Sequence, residues 1–171
     1  MSGKVLVAYA TMYGSTKEVA EAVAAALRDE GPEVDLRPAR EVRSVDDYGA
    51  VVLGAPLINH RLHKDVQNFL SHQRKALAEL DVALFALGPI GDGEQEWQDC
   101  RVQLDKELEK MDWLQPVAVE LFGGRFDPAL LRFPFNKFAG PAGASDARDW
   151  DAIRAWAAGL PALMARSVPV G

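Results

Sequence analysis

Apolar runs of strand length alternate with amphipathic segments along the whole chain. Four of these runs are predominantly apolar, which is typical of parallel strands covered on both faces: Val5–Tyr9, Ala50–Ala55, Val82–Leu87 and Val117–Phe122. A fifth segment, Glu33–Arg37, alternates between polar and apolar residues and predicts a half-exposed edge strand. The pattern therefore predicts five strands.

The segments between these strands place their apolar residues at helical spacing. The Gly31-Pro32 pair stops the first helix, and three more are predicted over Lys64–Leu77, Glu94–Met111 and Asp149–Met164. Pro161 is expected to kink or shorten the last helix, because it lacks a backbone donor and clashes one turn back. The positions expected to face the core are Val19, Ala20, Val23, Ala26, Leu27, Val66, Phe69, Leu70, Leu77, Trp97, Cys100, Leu104, Leu108, Met111, Ile153, Trp156, Ala157, Leu160 and Leu163.

Strands that alternate with helices predict right-handed βαβ units, with a parallel sheet and helices on both of its faces. Five strands with a weak, edge-like second strand favour the order 2-1-3-4-5 over a six-stranded dinucleotide fold. The expected fold is an α/β, three-layer, doubly wound sandwich. A length of 171 residues fits one domain over 1–171.

Composition excludes several classes of function. The formal net charge of −6 argues against a nucleic-acid partner, which requires a basic surface. The lone Cys100 cannot form an internal disulfide, and no apolar run approaches the roughly 20 residues that a membrane-spanning helix needs. Val5–Tyr9 is too short for the core of a signal peptide, so a cytoplasmic location is expected.

The loop after the first strand has the composition of a phosphate site. In doubly wound folds ligands bind where the strand order reverses, and this loop consists of Thr11, Met12, Tyr13, Gly14, Ser15 and Thr16. It offers three hydroxyls, a glycine that can adopt positive φ, and the free N–H groups of the following helix. Lys17 stands in the wrong order for a nucleoside-triphosphate loop, and a dinucleotide fingerprint is absent. Alternatively, the hydroxyl residues only shape the turn and cap the helix.

Thr11-Met-Tyr-Gly-Ser-Thr16 matches the [ST]-x-x-G-x-[ST] fingerprint of the flavodoxins, which the chain resembles over nearly its whole length. Asp46–Pro56 resembles that family's third strand and first flavin loop, and Gly88–Asp92 resembles its second flavin loop. The resemblance implies FMN, with Thr11–Thr16 on the phosphate and two later loops beside the isoalloxazine. Those loops supply Pro56, Leu57, Ile58, Asn59, His60, Gly88, Pro89, Ile90, Gly91 and Asp92.

The two flavin loops differ from those of electron-carrying flavodoxins. Neither Pro56–Leu62 nor Gly88–Gly93 contains Trp or Tyr, so one flavin face is expected to be open to a flat quinone or porphyrinogen. Carriers also flip a peptide at a glycine, and Pro56–Leu62 has none, which predicts little one-electron-reduced flavin. The alternatives are a one-electron carrier that docks on a redox partner protein, and a flavin-free signalling or scaffold domain.

Two late segments resemble the flavodoxin-type, quinone-dependent protoporphyrinogen dehydrogenases: Phe122–Phe126 and Arg148–Trp156. Those enzymes carry a longer, basic and aromatic insertion where this chain has Phe126–Phe138. This segment is either a lid or peripheral membrane contact, or a loop that completes the core.

The remaining polar candidates have weaker signals. His60 could tune the flavin as a positive dipole near its N1–C2 edge. Alternatively, His60 and His63 are two solvated loop histidines. Asp92 is expected to close a turn, and Cys100 to be a small buried hydrophobe. The histidine spacing does not provide a metal site, and no side chain is required as a covalent catalyst.

Overall fold

A computed structural model describes residues 3–58, 61–126 and 145–164, in which strands and helices alternate as the sequence predicts. The strands are β1 (Val5–Tyr9), β2 (Val34–Pro38), β3 (Ala50–Ile58), β4 (Arg61–Leu62), β5 (Asp81–Leu87), β6 (Ala118–Phe122), β7 (Arg125–Phe126) and β8 (Ser145–Asp146). The helices are α1 (Ser15–Asp29), α2 (Lys64–His72), α3 (Arg74–Leu77), α4 (Glu94–Glu109) and α5 (Trp150–Leu163), and Ala39–Glu41 forms a 3₁₀ turn.

The central sheet has the order β2-β1-β3-β5-β6, and all of these strands run parallel. This confirms the predicted order 2-1-3-4-5, because β5 and β6 are the fourth and fifth of its long strands. Val7 of β1 lies opposite Leu36 of β2 on one side and Val52 of β3 on the other. The order therefore reverses between β1 and β3, and the loops that follow the parallel strands meet at one edge.

Two hydrophobic layers cover the sheet. Alternate side chains of β1 divide between them, so that Val5 and Val7 face α1 and α5, while Leu6 and Ala8 face α2, α3 and α4. In the first layer the rings of Phe85, Phe122 and Trp156 pack with centroids 5.6 to 6.0 Å apart. The α/β three-layer sandwich is confirmed.

β3 is longer than the sequence predicts. We expected it to end before Pro56, but it continues through Pro56 to Ile58 and then pairs antiparallel with β4. The N–H of Ala10 donates to the carbonyl of Gly54, and alternate residues of a strand point their backbone groups to the same side. The Pro56 nitrogen, which carries no N–H, therefore faces the side of β3 on which β1 has already ended.

Two helical predictions need correction. The helix predicted over Lys64–Leu77 is broken at Gln73 into α2 and α3, although its expected apolar stripe is buried. Leu163 was expected to face inward but is 53% exposed, and Met164 is buried instead. Met164 follows Leu160 by four residues and therefore shares its face. Pro161 lies inside α5, which ends two residues later.

The segment after β6, expected to be irregular, contains β7, which pairs antiparallel with β8. Phe126 belongs to this ladder. The rest of the Phe126–Phe138 segment falls outside the described residues, so its role as lid, membrane contact or core stays a prediction. None of the helices in the described ranges is long and apolar enough to span a bilayer.

Gly54 marks a close approach of β3 and β5. It lies opposite Phe85, and an added Cβ would overlap the fully buried Phe85 ring. Because Phe122 and Trp156 hold that ring, we expect Gly54→Ala to lower the free energy of unfolding by about 1–3 kcal/mol in urea titrations.

The matched control is Gly159→Ala in the exposed part of α5, where nothing lies within 4 Å of the new Cβ. This substitution is expected to raise the free energy of unfolding by roughly 0.5–1 kcal/mol, since alanine favours a helix. Equal effects of the two substitutions would contradict the packing of Gly54 on Phe85.

Candidate functional site

The loop between β1 and α1 is built around Gly14. Gly14 has φ of 89° and is the N-cap of α1, which confirms the expectation that this glycine adopts a left-handed conformation. Its N–H donates to Oγ1 of Thr11 at 2.9 Å. Thr11 therefore shapes the turn, as the alternative interpretation expected, yet no side chain caps α1.

Several donors at the start of α1 have no partner within the helix. The first helical hydrogen bond runs from the N–H of Glu18 to the carbonyl of Gly14, at 3.1 Å. The N–H groups of Ser15, Thr16 and Lys17 precede it and carry the positive end of the helix dipole. A hydroxyl that accepts one hydrogen bond can still donate another, so Thr11 is also available to an anion.

Thr16 provides the most specific observation in this loop. The residue is fully buried, and its Oγ1 has no hydrogen-bond partner among the described residues. A buried hydroxyl left unpaired costs about 1–3 kcal/mol. An unpaired buried hydroxyl, beside three N–H groups that the helix leaves without a partner, is typical of a turn that binds an anion. A turn that merely begins a helix would not explain this cost.

The second candidate loop, Gly88–Gly93, is held by the first turns of α4. Nε1 of Trp97 donates to the carbonyl of Gly91 at 3.0 Å, and the Glu96 carboxylate accepts the N–H of Ile90 at 2.7 Å. Sequence reasoning assigned Trp97 to the helix core only, where it also packs in part. The overlooked signal is its position in the first turn after a glycine-rich loop.

The same loop is joined to the end of the sheet. Gly88 donates to the carbonyl of Phe122 at 3.2 Å, and Gly124 donates to the carbonyl of Pro89 at 2.6 Å. Gly123 approaches the backbone of Ala147 so closely that a Cβ would overlap its carbonyl. The Gly123-Gly124 pair thus lets the β7–β8 ladder pack against the loop.

The segment predicted to form the first flavin loop is only partly described. Pro56, Leu57 and Ile58 are half-buried in the β3–β4 ladder. Asn59 and His60 fall outside the described residues, and the proposed tuning role of His60 stays a prediction.

His63 has a structural role that the sequence did not predict. Its Nδ1 accepts the N–H of Asp65 at 3.0 Å, so that it caps α2. This half-buried cap differs from the solvated loop histidine considered from sequence.

Cys100 and Asp92 differ in what the structure shows of them. Cys100 is half-buried behind Gly88, and burial raises the pKa of its thiol, which makes the residue a weak nucleophile. Asp92 lies exposed between the bend at Ile90 and Gly91 and the start of α4, and its turn-closing role stays a prediction.

Exposed apolar side chains concentrate at the candidate loops. Among the described residues five large hydrophobics are exposed, and three of them belong to these loops: Met12, Tyr13 and Ile90. The other two, Val102 and Leu163, lie on helices. An apolar rim around a polar, donor-rich turn is typical of a site that binds a flat ligand with one charged end.

A cluster of charged residues lies next to the Thr11–Thr16 loop. Arg148 pairs with Glu18 of α1 at 3.1 Å and with Asp146 at 2.7 Å, and Arg125 pairs with Glu18 at 3.6 Å. The hydrogen bond from Arg148 lowers the pKa of Asp146 below its ordinary value. The cluster connects the β7–β8 ladder to the first turn of α1.

We expect Trp97→Phe to loosen the Gly88–Gly93 loop selectively. The phenyl ring retains the packing but cannot donate to Gly91, a loss of roughly 0.5–1.5 kcal/mol. Hydrogen–deuterium exchange should rise in residues 88–93 and stay unchanged in residues 11–16. The control is Trp113→Phe, because the Trp113 ring lies beside Arg74 and away from the loop. Equal exchange at residues 88–93 in both variants would contradict a role of the Trp97–Gly91 hydrogen bond in holding the loop.

Comparisons with known proteins agree with this architecture. An uncharacterised protein of Methanocaldococcus jannaschii is 30% identical over 131 residues, which cover 73% of this chain and 32% of that protein. The chain thus spans about a third of this relative. Oxidised flavodoxin 1 from Bacillus cereus superposes with a TM-score of 0.59 at 14% identity, over 96% of this chain and 99% of that one.

A longer protein contains the same fold. Rubredoxin oxygen:oxidoreductase from Desulfovibrio gigas superposes with a TM-score of 0.54 at 21% identity, over 96% of this chain and 36% of that one. The family model of the flavodoxin domain matches residues 6–137, which is more than half of the chain. The chain therefore belongs to the flavodoxin domain family, and this membership indicates an FMN-binding fold.

Proposed function

We propose that the Thr11–Thr16 loop holds the terminal phosphate of FMN and that the protein uses the bound flavin to exchange electrons with a quinone-like ring. The observation that carries the phosphate site is the buried hydroxyl of Thr16, which has no partner among the described residues, beside three N–H groups that precede the first hydrogen bond of α1. Charge-assisted hydrogen bonds of roughly 1.5–3 kcal/mol each would account for most of the phosphate affinity.

The isoalloxazine would lie between the two later loops, near Ile58 and Ile90. When bound, FMN supplies the redox chemistry, and the protein sets its orientation and exposure. Trp97 and Glu96 fix the Gly88–Gly93 loop through Gly91 and Ile90, which limits how far that side of the site can move. The exposed Met12 and Ile90 would exclude water from part of the ring.

The lack of Trp and Tyr in the two predicted flavin loops supports a flat small molecule as the partner. Neither loop contains Trp or Tyr, so one face of the flavin would be accessible to another ring. A quinone fits this description, and a porphyrinogen is the second candidate of the same shape.

A redox partner protein is the alternative, and two observations favour it. The chain spans about a third of its curated relative from Methanocaldococcus jannaschii, and a third of rubredoxin oxygen:oxidoreductase, so the fold also occurs inside larger proteins. The exposed apolar rim of Met12, Tyr13 and Ile90 would suit protein docking as well.

Thr16→Val tests the phosphate site. Valine has nearly the same shape and removes an unpaired buried hydroxyl, so the free energy of unfolding of the ligand-free protein should not fall. FMN affinity should fall about 10–100-fold in a fluorescence titration, the equivalent of one charge-assisted hydrogen bond. Riboflavin, which lacks the phosphate, should bind both forms equally, and Thr16→Ser should bind FMN nearly as well as the original protein. Unchanged FMN affinity in Thr16→Val, or no binding of FMN at all, would contradict the site.

Anaerobic reductive titration of the FMN-loaded protein separates the two kinds of partner. Exchange with a quinone predicts one two-electron step and rapid turnover with menadione, with protoporphyrinogen as a further substrate to assay. Two well-separated one-electron steps without menadione turnover would favour the protein-docking carrier.

A further inference from the structure

We propose that Arg148 neutralises Glu18 next to the phosphate loop and thereby allows α1 to bind a doubly charged anion. This inference rests on the proposed phosphate site and assigns Arg148 as a positioning residue for phosphate specificity. Neither residue belongs to the loop itself.

Glu18 is a potential obstacle to phosphate binding. It follows directly after Ser15, Thr16 and Lys17, whose N–H groups precede the first hydrogen bond of the helix, and a helical turn is only about 5.4 Å long. A carboxylate in a first turn is itself stabilised by the helix dipole, and it would compete there with a bound anion. Repulsion between them would be weakly screened, since the Debye length is about 10 Å at 0.1 M salt.

Arg148 is placed to cancel this charge. Its side chain is only 4% exposed, and its guanidinium contacts Oε2 of Glu18 at 3.1 Å. Two hydrogen bonds to Asp146, at 2.7 and 2.8 Å, and the Trp150 ring, at 4.7 Å, fix its orientation. A held and buried guanidinium loses little side-chain entropy in the pair, unlike an exposed lysine.

The charge balance of the cluster supports this role. Two arginines, Arg125 and Arg148, face two carboxylates, Glu18 and Asp146, so their charges sum to zero. Removal of Arg148 would leave one net negative charge beside the phosphate loop. Arg125 alone, at 3.6 Å and more exposed, would neutralise Glu18 less completely.

The experiment measures FMN and riboflavin affinities of Arg148→Gln, Glu18→Gln and the double variant by fluorescence titration. Arg148→Gln should weaken FMN on the order of tenfold and leave riboflavin unchanged. Glu18→Gln should bind FMN at least as tightly as the original protein. The double variant should recover FMN affinity, because the unpaired carboxylate is absent.

Arg154→Gln is the matched control. Arg154 also lies in this region of the chain, on α5, and pairs with Asp151 at 3.0 Å, but both side chains are exposed and the pair does not include Glu18. Its loss should leave both affinities unchanged. In Arg148→Gln, added salt should restore part of the FMN affinity by screening Glu18.

A structural role for Arg148 predicts a different result. If Arg148 only holds the β7–β8 ladder, Arg148→Gln should weaken FMN and riboflavin equally and Glu18→Gln should not rescue it; this outcome overturns the inference. If Arg148→Gln does not fold, Glu18→Gln becomes the test. Weaker FMN binding by Glu18→Gln than by the original protein also overturns the inference. Equal affinities of the original protein for FMN and riboflavin would instead show that the phosphate site itself is wrong.

Discussion

The pairing of β1 with a parallel neighbour on each side is the constraint on which the rest of the structure depends. Its five residues are buried and lie between β2 and β3, with helices above and below. Such a strand can present polar backbone groups to a ligand only beyond its ends. The chain therefore leaves β1 at Ala10 into a hydroxyl-rich loop, at the edge where β3 and β5 also end, and the donors of α1 collect there.

The order of the strands and the buried faces of the helices could be predicted from the sequence because both depend on local periodicity. The structure departs from the prediction where contacts between distant residues determine the local conformation. Pro56 continues β3 because its missing donor faces a side that β1 has left, and this depends on the relative lengths of two distant strands. Leu163 was predicted to face the core, but Met164 does so instead. Both residues lie at the end of α5, where a shift of one residue changes which side chain faces inward.

The left-handed Gly14 and the turn before α1 could be predicted because the six residues from Thr11 to Thr16 are contiguous. The supporting contacts could not. Trp97 bonds to Gly91 from the next helix, and Arg148 meets Glu18 across 130 residues of sequence. Ion pairs of this kind have no periodicity, and any of the chain's arginines would have been an equal candidate. The sequence thus locates the loop, and only the structure shows what surrounds it.

The β7–β8 ladder has a consequence for how the protein can vary. Arg125–Phe126 and Ser145–Asp146 lie side by side, so the chain departs and returns at almost the same point. Closing a longer segment between two fixed ends adds little entropic cost, since the cost grows only with the logarithm of length. Insertions or deletions between these strands would therefore leave both arginines in register with α1. The protein could acquire a different outer surface for a different partner while the Thr11–Thr16 turn stays unaltered.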